Sequence, residues 1–157
     1  MTLVSYNVGE KDIYSENFEF YSHGDKQYLM GVNYTYIGIE ATTGKRVYNL
    51  GFGILKTNPE TGLEEIDDNM KTNNGDKDKI LATVAKTALS FFEKHPDTII
   101  YFEGSSPSRI RTYQMALNRH SEILKKDFLI RGYIENSYLL EEFEKDKNYI
   151  AFLIEKK

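Results

Sequence analysis

The sequence contains no cysteine, and this absence excludes several classes of protein. Disulfide frameworks, thiolate zinc sites, iron–sulfur clusters and cysteine nucleophiles all require the thiol group. No stretch approaches the roughly 18 apolar residues that a membrane-spanning helix needs. The first ten residues also lack the basic start and apolar run of a secretion signal. We therefore expect a cytoplasmic protein with no membrane partner, and we expect no cofactor.

Tryptophan is absent as well, yet aromatic residues make up 13% of the chain because tyrosine and phenylalanine are frequent. The 157 residues suffice for one hydrophobic core and are too few for two ordinary domains. The sequence shows no internal repeat and no low-complexity linker. We expect a single domain that covers residues 1–157.

The net charge of -4 argues against a protein whose whole surface binds nucleic acid. The charge is unevenly distributed, however, because the segment from Ser105 to Gly132 carries six basic and two acidic side chains. This basic segment favours an anionic partner, although charged helix faces are often no more than solvated surface.

The first half of the chain has the composition of β-strands separated by turn residues. The predicted strands are Phe18–Tyr21, Tyr28–Glu40, Arg46–Lys56 and Leu63–Ile66. Glycines inside these segments indicate bulges or curvature. This pattern predicts an antiparallel meander in a curved sheet.

The second half alternates between helices and strands. Apolar residues at helical spacing predict a first helix that is capped by Asp76 or Asp78 and ends before Pro96, and Ser106-Pro107 marks the start of a second helix that runs to about Leu124. The other predicted elements are strands at Thr98–Phe102, Phe128–Ile134 and Tyr149–Ile154 and a short helix at Leu139–Phe143.

This order of elements predicts an α+β fold, in which the N-terminal meander continues into a mixed curved sheet with two main helices packed on one face. The helix crossovers are expected to make the later strands parallel to their neighbours. A ribonuclease-H-like topology is the alternative. Nucleases of that topology need an acidic residue in the middle of their first strand, and Tyr28–Ile39 has none.

Three stretches of the sequence together resemble a known family: Tyr48–Gly53, Asn73–Ala85 and Gly104–Tyr113. They are similar to a bacterial family of small single-domain proteins that is catalogued as a domain of unknown function. The similarity covers essentially the whole chain. It implies the single-domain boundary, and it implies no activity.

The junction between the buried strand and the second helix has the parts of an anion-binding site. Glycine allows close approach, serines supply hydroxyls, and a helix start presents backbone N–H groups with positive partial charge. Arginines add forked donors for phosphate or carboxylate. The spacings of a Walker loop and of a dinucleotide-binding loop are both absent. The candidate residues are Gly104, Ser105, Ser106, Ser108, Arg109, Arg111 and Arg119.

Two other interpretations of this region stay open. In the first, Ser106 only caps the helix, Arg109 and Arg111 pair with Glu103 or with the Asp67-Asp68 loop, and nothing binds. In the second, a magnesium or manganese ion takes carboxylate ligands. Its candidate ligands are Asp67, Asp68, Asp76 and Glu103.

We rank three functions on this basis. The first is a non-catalytic binding module for a phosphate-bearing or other anionic partner, nucleic acid among them, with Tyr34, Tyr36 and Tyr48 either as a stacking platform or as ordinary packing. The second is a metal-dependent phosphodiesterase or nuclease-like enzyme. The third is a homo-oligomeric or toxin–antitoxin-like interaction domain.

Overall fold

The computed structural model describes residues 4–67, 72–104, 106–134 and 139–157. The described residues form two helices, neither of which is both long and apolar enough to cross a membrane. The helices are α1 (Lys77–Lys94) and α2 (Pro107–Asp127). The strands are β1 (Gly9–Glu10), β2 (Asn17–Ser22), β3 (Tyr28–Ile39), β4 (Arg46–Thr57), β5 (Glu64–Asp67), β6 (Ile99–Phe102), β7 (Phe128–Ile134), β8 (Leu140–Glu142) and β9 (Tyr149–Lys156).

The strands form a mixed sheet in the order β1-β2-β3-β4-β6-β9-β7-β8, with β5 paired to β4. The predicted α+β fold with an N-terminal meander and two helices is therefore confirmed. Strand β6 is parallel to β4, but β9 lies between β6 and β7 and is antiparallel to both. The expectation that the later strands are parallel to their neighbours is thus wrong for β7, because the C-terminal strand inserts beside it.

The chain divides into two compact units, and β3 and β4 contribute residues to both. We call residues Val4–Tyr34 and Gly51–Lys94 the N-terminal unit, and residues Thr35–Leu50 and His95–Lys157 the C-terminal unit. The single domain over residues 1–157 stays a prediction.

In the N-terminal unit, α1 packs on the meander through aromatic contacts. The ring of Tyr34 stacks on Phe91 with 4.4 Å between centroids, and its hydroxyl lies 2.8 Å from Thr87 Oγ1. Both polar groups are buried and both are hydrogen-bonded, as a packed core requires. Tyr34 is therefore a packing residue, and it is not available for stacking on a ligand.

The carboxylate of Asp76, just before α1, is the polar centre of the N-terminal unit. Its Oδ2 accepts hydrogen bonds from Tyr6 (2.6 Å) and from the fully buried hydroxyl of Ser22 (2.5 Å), and its Oδ1 accepts one from Thr72 (3.2 Å). The preceding turn places Gly75 at a φ of +68°, a conformation that glycine adopts without strain. Asp76 thus joins the N-terminal segment, β2 and the start of α1.

In the C-terminal unit, α2 packs on the strands through its apolar face. Leu117 and Leu124 are buried, and the ring of Tyr113 lies 5.4 Å from that of Phe102 on β6. On the strands, Ile99 and Phe152 have no exposed surface. This core fixes the position of the first turn of α2 at the end of β6.

The predicted short helix at Leu139–Phe143 is wrong, because the structure has strand β8 there. Tyr133 of β7 pairs with Leu140, and the Phe143 N–H donates to the carbonyl of Ile130 at 2.8 Å. A single isolated turn of helix is marginal in water, whereas pairing with β7 satisfies the backbone and buries Phe143. Tertiary contacts override the helical preference of Leu and Glu in this segment.

We expect Asp76→Ala to lower the free energy of unfolding by about 2–4 kcal/mol, because it leaves the hydroxyls of Tyr6 and Ser22 without their acceptor. Urea denaturation followed by circular dichroism measures the loss. The matched control is Asp25→Ala, which removes the same charge from an exposed turn. Equal stability of the two variants would show that the hydroxyl cluster contributes nothing.

Candidate functional site

Helix α2 begins as its sequence predicts. Ser106 is the N-cap, with extended backbone (φ −153°, ψ 161°), and its Oγ accepts a hydrogen bond from the Arg109 N–H at 3.3 Å. Pro107 is the first helical residue, where a missing N–H costs nothing. The predicted helix start is confirmed.

This start offers fewer backbone donors than the sequence suggests. Pro107 has no N–H, and the N–H groups of Arg109 and Ile110 both donate to the Ser106 carbonyl at 3.1 Å. A ligand at this end of α2 therefore depends mainly on side-chain donors.

Gly104 has a structural reason to lack a side chain. A Cβ at this position would lie 2.5 Å from the backbone nitrogen of Ile110 and 2.9 Å from its Cα. Real Cβ atoms do not come this close to backbone atoms. Only glycine therefore allows the residue after β6 to pack against the first turn of α2. The glycine thus serves the packing of helix on loop, a role different from the predicted close approach to a ligand.

A cleft of about 350 Å³ opens between the start of α2 and the start of β9, entirely within the C-terminal unit. On the helix side it is lined by residues at positions i, i+3, i+4 and i+7, which form one stripe of an α-helix. The helix stripe consists of Pro107, Ile110, Arg111 and Gln114, and the remaining lining residues are Gly104, Ser106, Asn148, Tyr149 and Ile150.

The strand wall of the cleft is held by Tyr149 and Gln114, both of which are buried. The Tyr149 N–H donates to Gln114 Oε1 at 3.1 Å. A side chain of α2 thus accepts the hydrogen bond of this backbone group of β9. The Tyr149 hydroxyl donates to Glu141 at 2.9 Å and accepts from the Glu144 N–H at 3.0 Å. Burial raises the pKa of the Tyr149 phenol, which keeps it protonated as a donor.

A β-bulge brings Ile150 to the cleft. Ala151 pairs with Tyr133 and Tyr149 pairs with Ile134, so Ile150 is an extra residue on β9. This residue is 47% exposed. The bulge therefore presents an apolar side chain to the cleft.

Arg109 and Arg111, two of the three predicted arginines, differ in their surroundings. Arg111 is exposed and lines the cleft, and it forms no ion pair in the part of the chain that the structure describes. Arg109 is half-buried: its Nη1 lies 3.5 Å from the Tyr113 hydroxyl, and its Nη2 is buried without a hydrogen-bond partner. Of the predicted pair, Arg111 alone can meet a ligand in the cleft.

Of the other predicted anion-binding residues, some line the cleft and some lie outside it. Gly104 and Ser106 line the cleft, whereas Arg119 and Ser108 are exposed and are not among its lining residues. The Ser108 hydroxyl lies 3.2 Å from that of Ser106. Ser105 lies outside the described residues.

The predicted pairing of the arginines with Glu103 does not occur. Across residues 4–67, 72–104, 106–134 and 139–157, neither Arg109 nor Arg111 forms an ion pair with an acidic side chain, and Glu103 instead accepts a hydrogen bond from the Tyr101 hydroxyl at 3.0 Å. Burial, with this bond to Glu103 adding to it, raises the pKa of Tyr101 to about 12. Within the described ranges, no carboxylate therefore occupies the guanidinium of Arg111.

The candidate metal ligands that the structure describes have other partners. Asp67 pairs with Lys56 at 3.1 Å, and both carboxylate oxygens of Asp76 accept hydroxyl hydrogen bonds. Within the described ranges, no group of three or more His, Asp or Glu side chains is placed to hold a metal ion. Asp68 lies outside the described residues.

The tyrosines considered for stacking are mostly packing residues. Tyr48 is buried and lies 5.2 Å from the ring of His95, whereas Tyr36 is 50% exposed. With Tyr34 also buried, two of the three tyrosines are packing residues and do not offer their rings to a ligand, whereas the ring of Tyr36 is exposed.

The predicted set lacks six lining residues of the cleft: Pro107, Ile110, Gln114, Asn148, Tyr149 and Ile150. The helix stripe that includes Gln114 was visible in the spacing from Pro107. Asn148 and Ile150 depend on the register of β9 against β7, which no local pattern in the sequence specifies.

Comparison with known proteins gives one match. A family of unknown function, DUF6934, matches residues 3–157. No curated protein and no solved structure matches the chain.

We expect Gly104→Ala to destabilise the protein by about 1–3 kcal/mol, because the new Cβ must displace the backbone of Ile110. Chemical denaturation measures the change. Gly51→Ala is the matched control, since a Cβ there meets nothing within 4 Å. A Gly104→Ala protein as stable as the Gly51→Ala protein would contradict the close packing under α2.

Proposed function

We propose that this chain, which belongs to the family of unknown function DUF6934, is a non-catalytic binding module. Its ligand is phosphate-bearing or otherwise anionic. The observation that carries this proposal is Arg111, an exposed arginine without an ion pair in the described ranges, in a cleft between α2 and β9. The ligand class includes nucleic acid through its phosphates.

The charge of the cleft supports an anionic ligand. Arg111 is its one charged lining residue, and the described lining contains no carboxylate to compete for the guanidinium. A guanidinium offers a planar fork of donors that matches the oxygens of phosphate and carboxylate. Ser106 and Asn148 add a hydroxyl and an amide beside it. The positive end of the α2 dipole acts in the same direction.

The residue types in the cleft support binding without catalysis. Its lining, as the structure describes it, includes no histidine, lysine, aspartate or glutamate that could act as a general base. The Ser106 hydroxyl is engaged as a helix cap and has another serine as its side-chain neighbour. A nucleophilic role for this serine therefore lacks its activating partner.

We further propose that this module acts in the cytoplasm. The support is the chain's lack of cysteine, a residue that extracellular proteins of this size often use in disulfides.

Arg111→Ala is expected to weaken the binding of anions roughly 10- to 100-fold, the loss that follows from removing a charge-assisted hydrogen bond. Isothermal titration with inorganic phosphate and fluorescence anisotropy with a short single-stranded oligonucleotide measure the binding. Lys126→Ala is the matched control, because it removes the same charge from an exposed position at the other end of α2.

Salt gives the second readout of the same experiment. Wild-type affinity for the oligonucleotide falls with ionic strength in proportion to the number of phosphates contacted. Equal affinities of the Arg111→Ala and Lys126→Ala variants, for both probes, would contradict a site at Arg111.

A further inference from the structure

The walls of the cleft narrow the class of ligand, and we infer that it is an organic monoanion: one carboxylate carried on an aliphatic body. This inference rests on the proposed function, because it uses the same cleft and the same arginine. Its basis is the combination of one cation with apolar side chains that stand among the polar lining residues.

The charge count favours a single carboxylate. Among the described lining residues Arg111 is the one ion, and the protein carries a net charge of -4. A polyphosphate or a nucleic acid needs several cations to offset its charges, and the described lining has no second one. A carboxylate carries one charge in one plane, which the fork of a guanidinium meets with two parallel hydrogen bonds.

About half of the cleft surface is apolar, and this half favours a ligand that has an apolar part. Pro107, Ile110, Tyr149 and Ile150 are four of the nine lining residues. An inorganic anion would leave this apolar surface exposed to water. The hydrocarbon part of an aliphatic acid would bury it and add the favourable free energy of the hydrophobic effect. The bulge on β9 contributes to this surface, since it turns Ile150 outward.

The size of the cleft favours a small ligand. Its volume of about 350 Å³ lies at the lower end of the roughly 300–1,000 Å³ that ligand pockets span. Two sources supply the required chemistry: the C-terminus of a peptide that ends in an aliphatic residue, and a free small aliphatic acid. Both present a carboxylate next to a short hydrocarbon chain.

The experiment is a calorimetric titration of the full chain with matched ligands. N-acetyl-leucine represents the peptide C-terminus and hexanoate the free acid, and their neutral counterparts are N-acetyl-leucinamide and hexanamide. Acetate and inorganic phosphate carry a negative charge but lack the aliphatic chain. The proteins are the wild type, Arg111→Ala, Ile150→Ala and Met115→Ala. Met115 is exposed on α2 and does not line the cleft, so its truncation is the control for that of Ile150.

The inference predicts that N-acetyl-leucine or hexanoate binds at least ten times more tightly than acetate and phosphate. The neutral counterpart and the Arg111→Ala protein should each lose most of that affinity. Ile150→Ala should weaken binding roughly 3- to 10-fold, as expected when a few methylene contacts are lost, and Met115→Ala should leave it unchanged. The tighter of the two acids identifies the source.

Two outcomes overturn the inference, and they are distinguishable. If phosphate binds as tightly as the aliphatic acids, depends on Arg111 and is indifferent to Ile150→Ala, the ligand class is wrong and the proposed anion site stands. If no anion in the panel binds the wild type, the inference fails, and if the oligonucleotide does not bind either, the proposed function fails with it. Circular dichroism of each variant verifies that the substituted residues, all exposed on the surface, leave the fold intact.

Discussion

The chain turns from β6 into α2 by passing beneath the first turn of its own helix, and this passage has no room for a side chain at Gly104. The close contact with Ile110 sets the angle at which α2 leaves the sheet. It therefore also sets the gap between the helix and the start of β9. Ser106 then caps the helix, and Gln114 reaches across to the backbone of Tyr149. The cleft is a consequence of this crossing.

Most of the elements followed from local patterns, because alternating strands and amphipathic helices have distinct periods. Both main helices and the strands of the sheet core lie close to their predicted positions. The segment at Leu139–Phe143 does not have its predicted structure, since five residues carry too little periodicity to distinguish a helix from an edge strand. The place of β9 between β6 and β7 was also not predictable, because strand order is decided by contacts between distant residues.

The candidate site was predictable in location and only partly in composition. Successive residues on an α-helix are about 100° apart around its axis, so Arg109 and Arg111 are separated by roughly 200° and cannot share a face. Sequence reasoning treated them as a pair. In the structure Arg111 lines the cleft, whereas Arg109 lies beside Tyr113. The strand side of the cleft, with Asn148 and Ile150, depends on a bulge that has no sequence signature of its own.

The cleft and the core use one stripe of α2 at successive points along the helix axis, since Gln114 lies three residues before Leu117. Positions 107, 110, 111 and 114 line the cleft, whereas Leu117 and Leu124 lie in the core. Under the proposed function, substitutions at the exposed Arg111 or Ile150 would change the ligand surface without removing a buried side chain. Chains that share this fold would then differ in ligand through one or two surface changes while their cores stay the same.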